Sequence, residues 1–331
     1  MSEEVKKAEN LINKQEYKKA LDLAKKQHRK GKIENYINIL DLLIENNYLK
    51  ALEEKGLYYL YYDENHDNND YGEKYFDKYL KAQPRSINAL SEKAMARSEK
   101  KDYKKAITYM SKALDSYDKF SESEKPRISK EEVWMGKIEL LLKENSPDAL
   151  NELNKFEKEH NENKKLILFK GIELSKNNQN EEALEYLNKS LTQERTVIAV
   201  NAKGNVLFNL KRFKEALECF DSCIQYEKDV DDLELLTNFN SKAAFSAIEL
   251  EDYSEGVKYL NKTINMLNQY PRLPDNLEKI YRECSFEKDR LLRKENVKDK
   301  EFSKTRFLSS KVAIVVLILF IIGYFILTYG V

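Results

Sequence analysis

A recurrence of 33 residues constrains this chain more than any other feature. The stretches KKLILFKGIELSKNNQNEEALEYLNKSL (Lys164 to Leu191) and RTVIAVNAKGNVLFNLKRFKEALECFDSCI (Arg195 to Ile224) share one pattern. Gly171 recurs as Gly204, Ala183 as Ala216 and Leu187 as Phe220, each 33 residues on. In the first half of each unit a small residue is followed three positions later by an aliphatic one. In the second half another small residue is followed by apolar positions four and about eight further on. Such spacings describe one apolar face on each of two helices. The small residues let the helices of a hairpin cross closely, and the larger ones fill the groove to the next hairpin. A unit of this size cannot bury its own apolar surface, so copies must stack to make a core.

The pattern resembles the tetratricopeptide repeat. That family has apolar residues early in a helix A, a Gly or Ala in its middle, an aromatic residue opening helix B, then Ala, an aromatic or Leu, and a second small residue. Ile87 to Leu114 fits with Ala94, Asp102-Tyr103, Ala106, Met110 and Ala113. Thr237 to Ile264 fits with Ala244, Asp252-Tyr253, Gly256 and Leu260, seven residues late through an acidic insertion around Asp229 to Glu234. Ala8, Leu11, Tyr17, Ala20 and Ala24 mark a unit near the N-terminus, and Leu42, Tyr48 and Ala51 a degenerate one. Weaker units run from Gly56 to Ala82, with an inserted loop, and from Glu131 to Phe156, with Gly136, Ala149 and Leu153. The resemblance implies an all-α fold, a right-handed α-solenoid of about seven hairpins over residues 1–270, clearest at 87–120, 164–197, 197–230 and 237–270. A helix within 271–295, apolar at Leu277, Ile280, Cys284, Leu291 and Leu292, is expected to cap the array. Prolines 84, 126, 147, 271 and 274 fall at helix starts or between helices, where the missing N–H costs nothing. Ser146-Pro147-Asp148 reads as an N-cap with Pro at the first helical position.

Composition narrows the functions. Nine Gly and five Pro in 331 residues argue against a β-rich chain and against a Gly-built nucleotide site. Lys+Arg and Asp+Glu balance at 57 each, so the basic excess that phosphate binding demands is missing and no nucleic-acid partner is expected. Three Cys and three His, scattered over the length, supply neither a disulfide framework nor a zinc site, and they fit a reducing compartment. The loop from Asp63 to Asp70 alternates oxygen donors like a calcium loop. Asn68 stands where a Gly is needed and Lys74 where the closing Glu is needed, so it reads as a solvated insertion. Cys219 and Cys223 read as a bystander and a core thiol. His28, His66 and His160 read as surface residues, while Trp134 and the run from Leu57 to Tyr62 read as inter-helix packing. No Gly-rich phosphate loop, GxSxG elbow or HExxH is present, and neither enzymatic activity nor a cofactor or metal is expected.

The last twenty positions carry no charge. Val312 to Val331 reads VAIVVLILFIIGYFILTYGV, and a helix of that length spans about 30 Å, the thickness of a bilayer's hydrocarbon. It reads as a transmembrane helix in contact with lipid, preceded by a juxtamembrane linker over 296–311. Lys304, Arg306 and Lys311 stand before the span and no basic residue follows, so the cation bias keeps the repeat array in the cytoplasm. A span at the chain terminus reads as a tail anchor inserted after translation. The start, MSEEVKKAEN, lacks the apolar core of a secretory signal.

The family resemblance also implies a binding surface, because its A helices line a concave face that takes extended peptides or partner helices. Carrying the register over residue by residue places Lys165, Leu168 and Ile172 there, then Ile198, Asn201, Asn205 and Phe208, then Asn238, Ser241, Lys242 and Phe245. Asn offers a peptide backbone both donor and acceptor, and Phe and Ile supply apolar pockets. The expected function is a membrane-tethered interaction scaffold that binds a protein or peptide partner in this groove. A first alternative is a co-chaperone or import-receptor-like docking protein. One subgroup of the family clamps a C-terminal carboxylate with Lys and Asn on successive A helices, and Gly204-Asn205 resembles the start of that motif. Asn201 stands where its Lys is expected, Lys242 where its second Asn is, and the third repeat is not recognisable after Pro271. The second alternative is a self-associating structural membrane protein, a homo-oligomer. Gly323 and Gly330, seven apart, do not form the small-xxx-small pattern that would favour it.

Overall fold

The computed structural model describes residues 1–63, 69–117, 119 and 126–294. Among the described residues there are sixteen α-helices and no strand. In chain order they are α1 (Glu3–Asn13), α2 (Tyr17–Arg29), α3 (Ile33–Glu45), α4 (Leu49–Tyr61), α5 (Asn69–Ala82), α6 (Ile87–Glu99), α7 (Tyr103–Tyr117) and α8 (Lys130–Lys143). Then follow α9 (Ala149–His160), α10 (Lys164–Lys176), α11 (Asn180–Gln193), α12 (Val197–Asn209), α13 (Phe213–Ile224), α14 (Leu233–Glu249), α15 (Tyr253–Leu267) and α16 (Asp275–Lys294). They fall into two compact units, Met1–His160 with α1–α9 and a second that starts at Asn161 and holds α10–α16.

Each unit is a row of hairpins stacked side by side, an α-solenoid. In the second unit α10 pairs with α11, α12 with α13 and α14 with α15, while α16 closes over α15 and α14. The B helices are one-sided: α13 buries Ala216, Phe220 and Cys223, a single stripe at helical spacing. A helices are enclosed on more sides, and α12 buries Ala199, Val200, Asn201, Gly204, Val206 and Leu207. Side chains that accept from exposed N–H groups start many of these helices, including Ser86, Asn163, Thr196 and Asp252, and Ser129 with Glu132 forms a full capping box. The acidic insertion takes the form of a 3₁₀ turn, Glu227–Asp229, and of Asp232 capping α14. Pro147 lies in the turn ahead of α9, which starts at Ala149 rather than at the proline.

One turn recurs between helices. Gln15, Asn47, Lys101, Asn145, Asn178, Lys211 and Glu251 have positive φ, as does Gly31. At Lys211 the residue's own N–H donates to Phe208 O at 2.9 Å and the next N–H donates to Leu207 O at 2.9 Å, the double closure of a Schellman motif. The other turns repeat that bonding. Asn145, Asn178 and Lys211 are 33 apart, one turn per hairpin, whereas Gln15, Gly31 and Asn47 are 16 apart, one turn per helix. The N-terminal helices therefore alternate by a uniform tight turn. The degenerate region resolves into an uninterrupted α4 that serves twice. Its Ala51 is the small residue of one hairpin, and its Gly56 receives the ring of Phe76 from α5 in the next.

The 33-residue period is enforced by contact. A Cβ on Gly204 would lie 2.7 Å from Phe220 Cε1, and one on Gly171 would lie 2.8 Å from Leu187 Cγ. Helix B rests its large side chain directly on the backbone of helix A, so the small and large positions must recur together.

A second device sits one residue before these small positions. Lys55, Lys93 and Lys170 are buried, and their ammonium groups lie 5.1, 4.7 and 4.6 Å from the ring centres of Tyr75, Tyr109 and Tyr186 on the partner helix. Lys55 and Lys93 also pair with Asp41 and Asp77. Burial is the largest influence and works against each ammonium, but the hydrogen bonds and charges of the Asp and Tyr partners together outweigh it and raise the pKa of both lysines above the ordinary value. Elsewhere in the first unit Trp134 Nε1 and Lys137 Nζ each donate to Glu152 Oε1 at 2.9 Å.

Two histidines depart from their surface reading. His28 stacks on Tyr36 at 4.7 Å between ring centres, and His160 lies 4.5 Å from Phe156, because neighbouring helices supply aromatic walls that local sequence does not display. Tyr58 is buried as expected, whereas Tyr61 and Tyr62 are exposed. The segments assigned to the linker (296–311) and membrane helix (312–331), most of the inserted loop and His66 lie outside the described residues. No described helix is long and apolar enough to cross a membrane.

Candidate functional site

The A helices α10, α12 and α14 lie side by side, and consecutive B helices stand further apart. A row whose members approach more closely sits on the inner side of a curve, so the A row presents the inner face of the second unit. Along α12, Asn201 and Asn205 are one turn apart and face α14, and Asn205 Nδ2 donates to Asn238 Oδ1 at 3.0 Å. Lys242, on α14, holds its ammonium 4.4 Å from the centre of the Phe208 ring, and that ring meets Phe213 edge-on at 5.4 Å.

The remaining expected residues divide. Ile198 is 50 % exposed at the start of α12, and Lys165 is exposed at the start of α10. Leu168 and Ile172 are half-buried on α10. Ser241 is buried and donates its hydroxyl to Asn238 O at 3.1 Å, so it is consumed within its own helix. Phe245 packs against the apolar core of the unit. The structure thus joins Asn205 to Asn238 and Phe208 to Lys242.

The electrostatics of this patch are unusual for a repeat interior. Asn201, 7 % exposed, has a buried Oδ1 without a hydrogen-bond partner, and so does Asn205. Buried acceptors are normally satisfied, and leaving one bare costs about 1–3 kcal/mol. Burial holds the Lys242 ammonium below the ordinary lysine pKa of 10.5, opposed by the charge of Glu283. The patch therefore combines buried amide oxygens that lack partners, a half-buried cation and an aromatic face, a set that suits an extended backbone carrying an acidic or carboxylate group, with the amides reached once their side chains turn outward.

Three contributors are absent from the sequence reading. Glu283 reaches Lys242's surroundings from α16, next to the core residue Cys284, a position the capping-helix pattern contains but does not flag. Thr237 and Asn240, fully buried on α14, each leave a side-chain oxygen unpartnered. Their one local signal is polarity at positions where a helical stripe calls for apolar residues.

Fold and site define an array of helical hairpins with a polar inner face. Residues 87–120 and 199–230 match the model of the tetratricopeptide repeat. Among solved structures it is similar to a tetratricopeptide repeat protein from Parabacteroides merdae ATCC 43184, at 11% identity and a TM-score of 0.55, over 82% of this chain and 99% of that one. It is also similar to pilF of Pseudomonas aeruginosa, at 18% identity and a TM-score of 0.50, over 72% of this chain and 97% of that one. At these identities the likeness concerns the fold. No curated protein matches the sequence.

Proposed function

We propose that this chain is a non-enzymatic interaction scaffold that captures an extended peptide segment of a protein partner on the inner face of α10, α12 and α14. The observation that carries the reading is the pair of unpartnered oxygens on Asn201 and Asn205, on the same face as a half-buried Lys242 ammonium that lies over the Phe208 ring. Backbone N–H groups of a bound strand would complete the two oxygens once the amide side chains rotate outward to meet them. An acidic side chain or terminal carboxylate would neutralise the cation, and Phe208 and Ile198 would hold apolar side chains.

The second part of the proposal is tethering. Val312 to Val331 has the length and composition of a membrane span, with Lys304, Arg306 and Lys311 before it, which supports a cytoplasmic array at a membrane surface. A peptide array of extended segments with and without acidic C-termini, probed with the full chain, tests the first part. Binding should fall about tenfold in Asn205→Ala and in Lys242→Met, in line with the loss of one charge-assisted contact. Equal binding by both variants removes the assignment. Alkaline extraction of cell membranes tests the second, since a chain cut after residue 311 should move to the supernatant while the full chain stays in the pellet.

A further inference from the structure

The lysine–ring pairs make sense of a cavity on another side of the second unit. Lys203 precedes Gly204 as Lys170 precedes Gly171, and 16 residues beyond it Cys219 stands where Tyr186 stands beyond Lys170. A thiol cannot fill the space of a phenol, and the structure holds a cavity of about 380 Å³ lined by Val200, Lys203, Leu207, Glu215, Cys219 and Ser222, among others. That volume lies within the range of ligand pockets, about 300–1,000 Å³. At about 3.6 residues per turn, Val200, Lys203 and Leu207 face away from Asn201, Asn205 and Phe208, so the cavity is distinct from the inner-face site.

Its chemistry is specific. Arg212 holds Glu215 with two hydrogen bonds of 2.7 Å, and among the described residues Lys203 makes no ion pair. Val200 and Leu207 supply apolar walls, and burial pushes the Cys219 thiol above its ordinary pKa, so it is neutral near pH 7. At the rim Arg195 Nη2 donates to Ser222 Oγ at 2.9 Å, a pair able to meet a hydroxyl. We propose that this cavity binds a phenol ring, seated beneath Lys203 as Tyr75, Tyr109 and Tyr186 are seated beneath the lysines of their own repeats. The ring would regain the packing and cation–π contact that this repeat lacks, with its hydroxyl directed to the Arg195–Ser222 rim.

Cys219 lines the cavity and serves as the reporter. The test is the rate of iodoacetamide alkylation of Cys219 in the full chain, read by peptide mass spectrometry, with para-cresol present up to about 10 mM, the regime of weak binding. Labelling of the buried Cys223 checks that the fold is intact. The expected result is slowing of about fivefold by para-cresol, markedly less slowing by 4-methylcyclohexanol, which lacks a π face, and reduced protection in Lys203→Met. No protection by para-cresol overturns the proposal. So does protection that is equal for both alcohols and unchanged in Lys203→Met, which would describe a merely greasy hole. Within a positive result, N-acetyl-tyrosinamide separates sources. Protection by it as well shows that a tyrosine side chain on a partner is admitted, and protection by para-cresol alone shows a site for free phenols.

Discussion

The two units bury polar side chains in different ways. Between α3 and α9 the first unit sets buried charges against partners: Lys55 and Lys93 pair with Asp41 and Asp77, Glu73 holds Arg97 at 2.5 Å and Lys100 at 2.7 Å, and Glu152 gathers Trp134 and Lys137, while Ser91 Oγ is left without a hydrogen-bond partner. Between α12 and α14 the second unit buries neutral amides and hydroxyls instead and leaves oxygens of Asn201, Asn205, Thr237 and Asn240 without partners. Saturated charge networks fix helix positions and have little left to offer a ligand. Buried oxygens without partners cost the free protein about 1–3 kcal/mol each, a cost that a bound donor would relieve. The contrast separates a stretch held by paired charges from one whose polar groups would suit the proposed recognition role.

The largest expected effect tests the saturated side. Glu152→Ala strips the partner from a half-buried Lys137 and from the buried indole N–H, and should destabilise the first unit by about 3 kcal/mol, read in urea by the fluorescence of Trp134, the single tryptophan. The same carboxylate gives a pH dependence. Burial raises its pKa, and the Lys137 and Trp134 hydrogen bonds with the Lys137 and Lys155 charges overcome this, leaving it below 4.5. Its contribution is therefore full above pH 4.5 and is lost as the pH falls through the depressed folded value, so the urea midpoint should drop in that window in wild type and stay flat in Glu152→Gln.

Next in size is the packing of helix on helix. Gly204→Ala drives a Cβ against a ring that has no room to move and should cost about 2 kcal/mol or more. Gly136→Ala meets only the flexible end of Met110, 3.2 Å away, and should be neutral or mildly stabilising by hydrogen exchange of α8. Smaller still, Asn201→Leu should change stability by about 1 kcal/mol or less, because it deletes an already unsatisfied oxygen, while peptide capture is lost. A drop of several kcal/mol would mean that the oxygen has a partner in the free protein. Smallest is Lys211→Gly, expected to raise the stability of the second unit by about 0.5 kcal/mol, the relief of positive φ less the added chain entropy of Gly, read as a higher thermal midpoint.

Much of this was legible in the sequence because repeat packing is local. Gly171, Gly204, Leu187 and Phe220 touch within one hairpin, so their spacing displays the fold directly. The N-terminal turns were harder to read, since a 16-residue alternation places the same helix in two hairpins and Ala51 and Gly56 then carry different registers on α4. The candidate site was half legible. Register alone put Asn205, Asn238, Phe208 and Lys242 on one face, but whether an amide oxygen is bare depends on neighbours from other helices. Ser241, predicted for the groove, spends its hydroxyl on its own helix, and Glu283 enters from α16. The ring vacancy at Cys219 was invisible in one repeat and emerges only beside its sister repeats.

The most direct test of the open-acceptor account is site-specific photo-crosslinking in cells, with a benzophenone amino acid in place of Ile198 at the inner face or of Tyr270 beyond the end of α15. The account predicts a discrete adduct from position 198, absent from position 270 and abolished when Asn201, Asn205 and Phe208 are all changed to Ala in a chain whose far-ultraviolet circular dichroism is unaltered. An adduct at 198 that survives the triple change, or adducts only at 270, would contradict it.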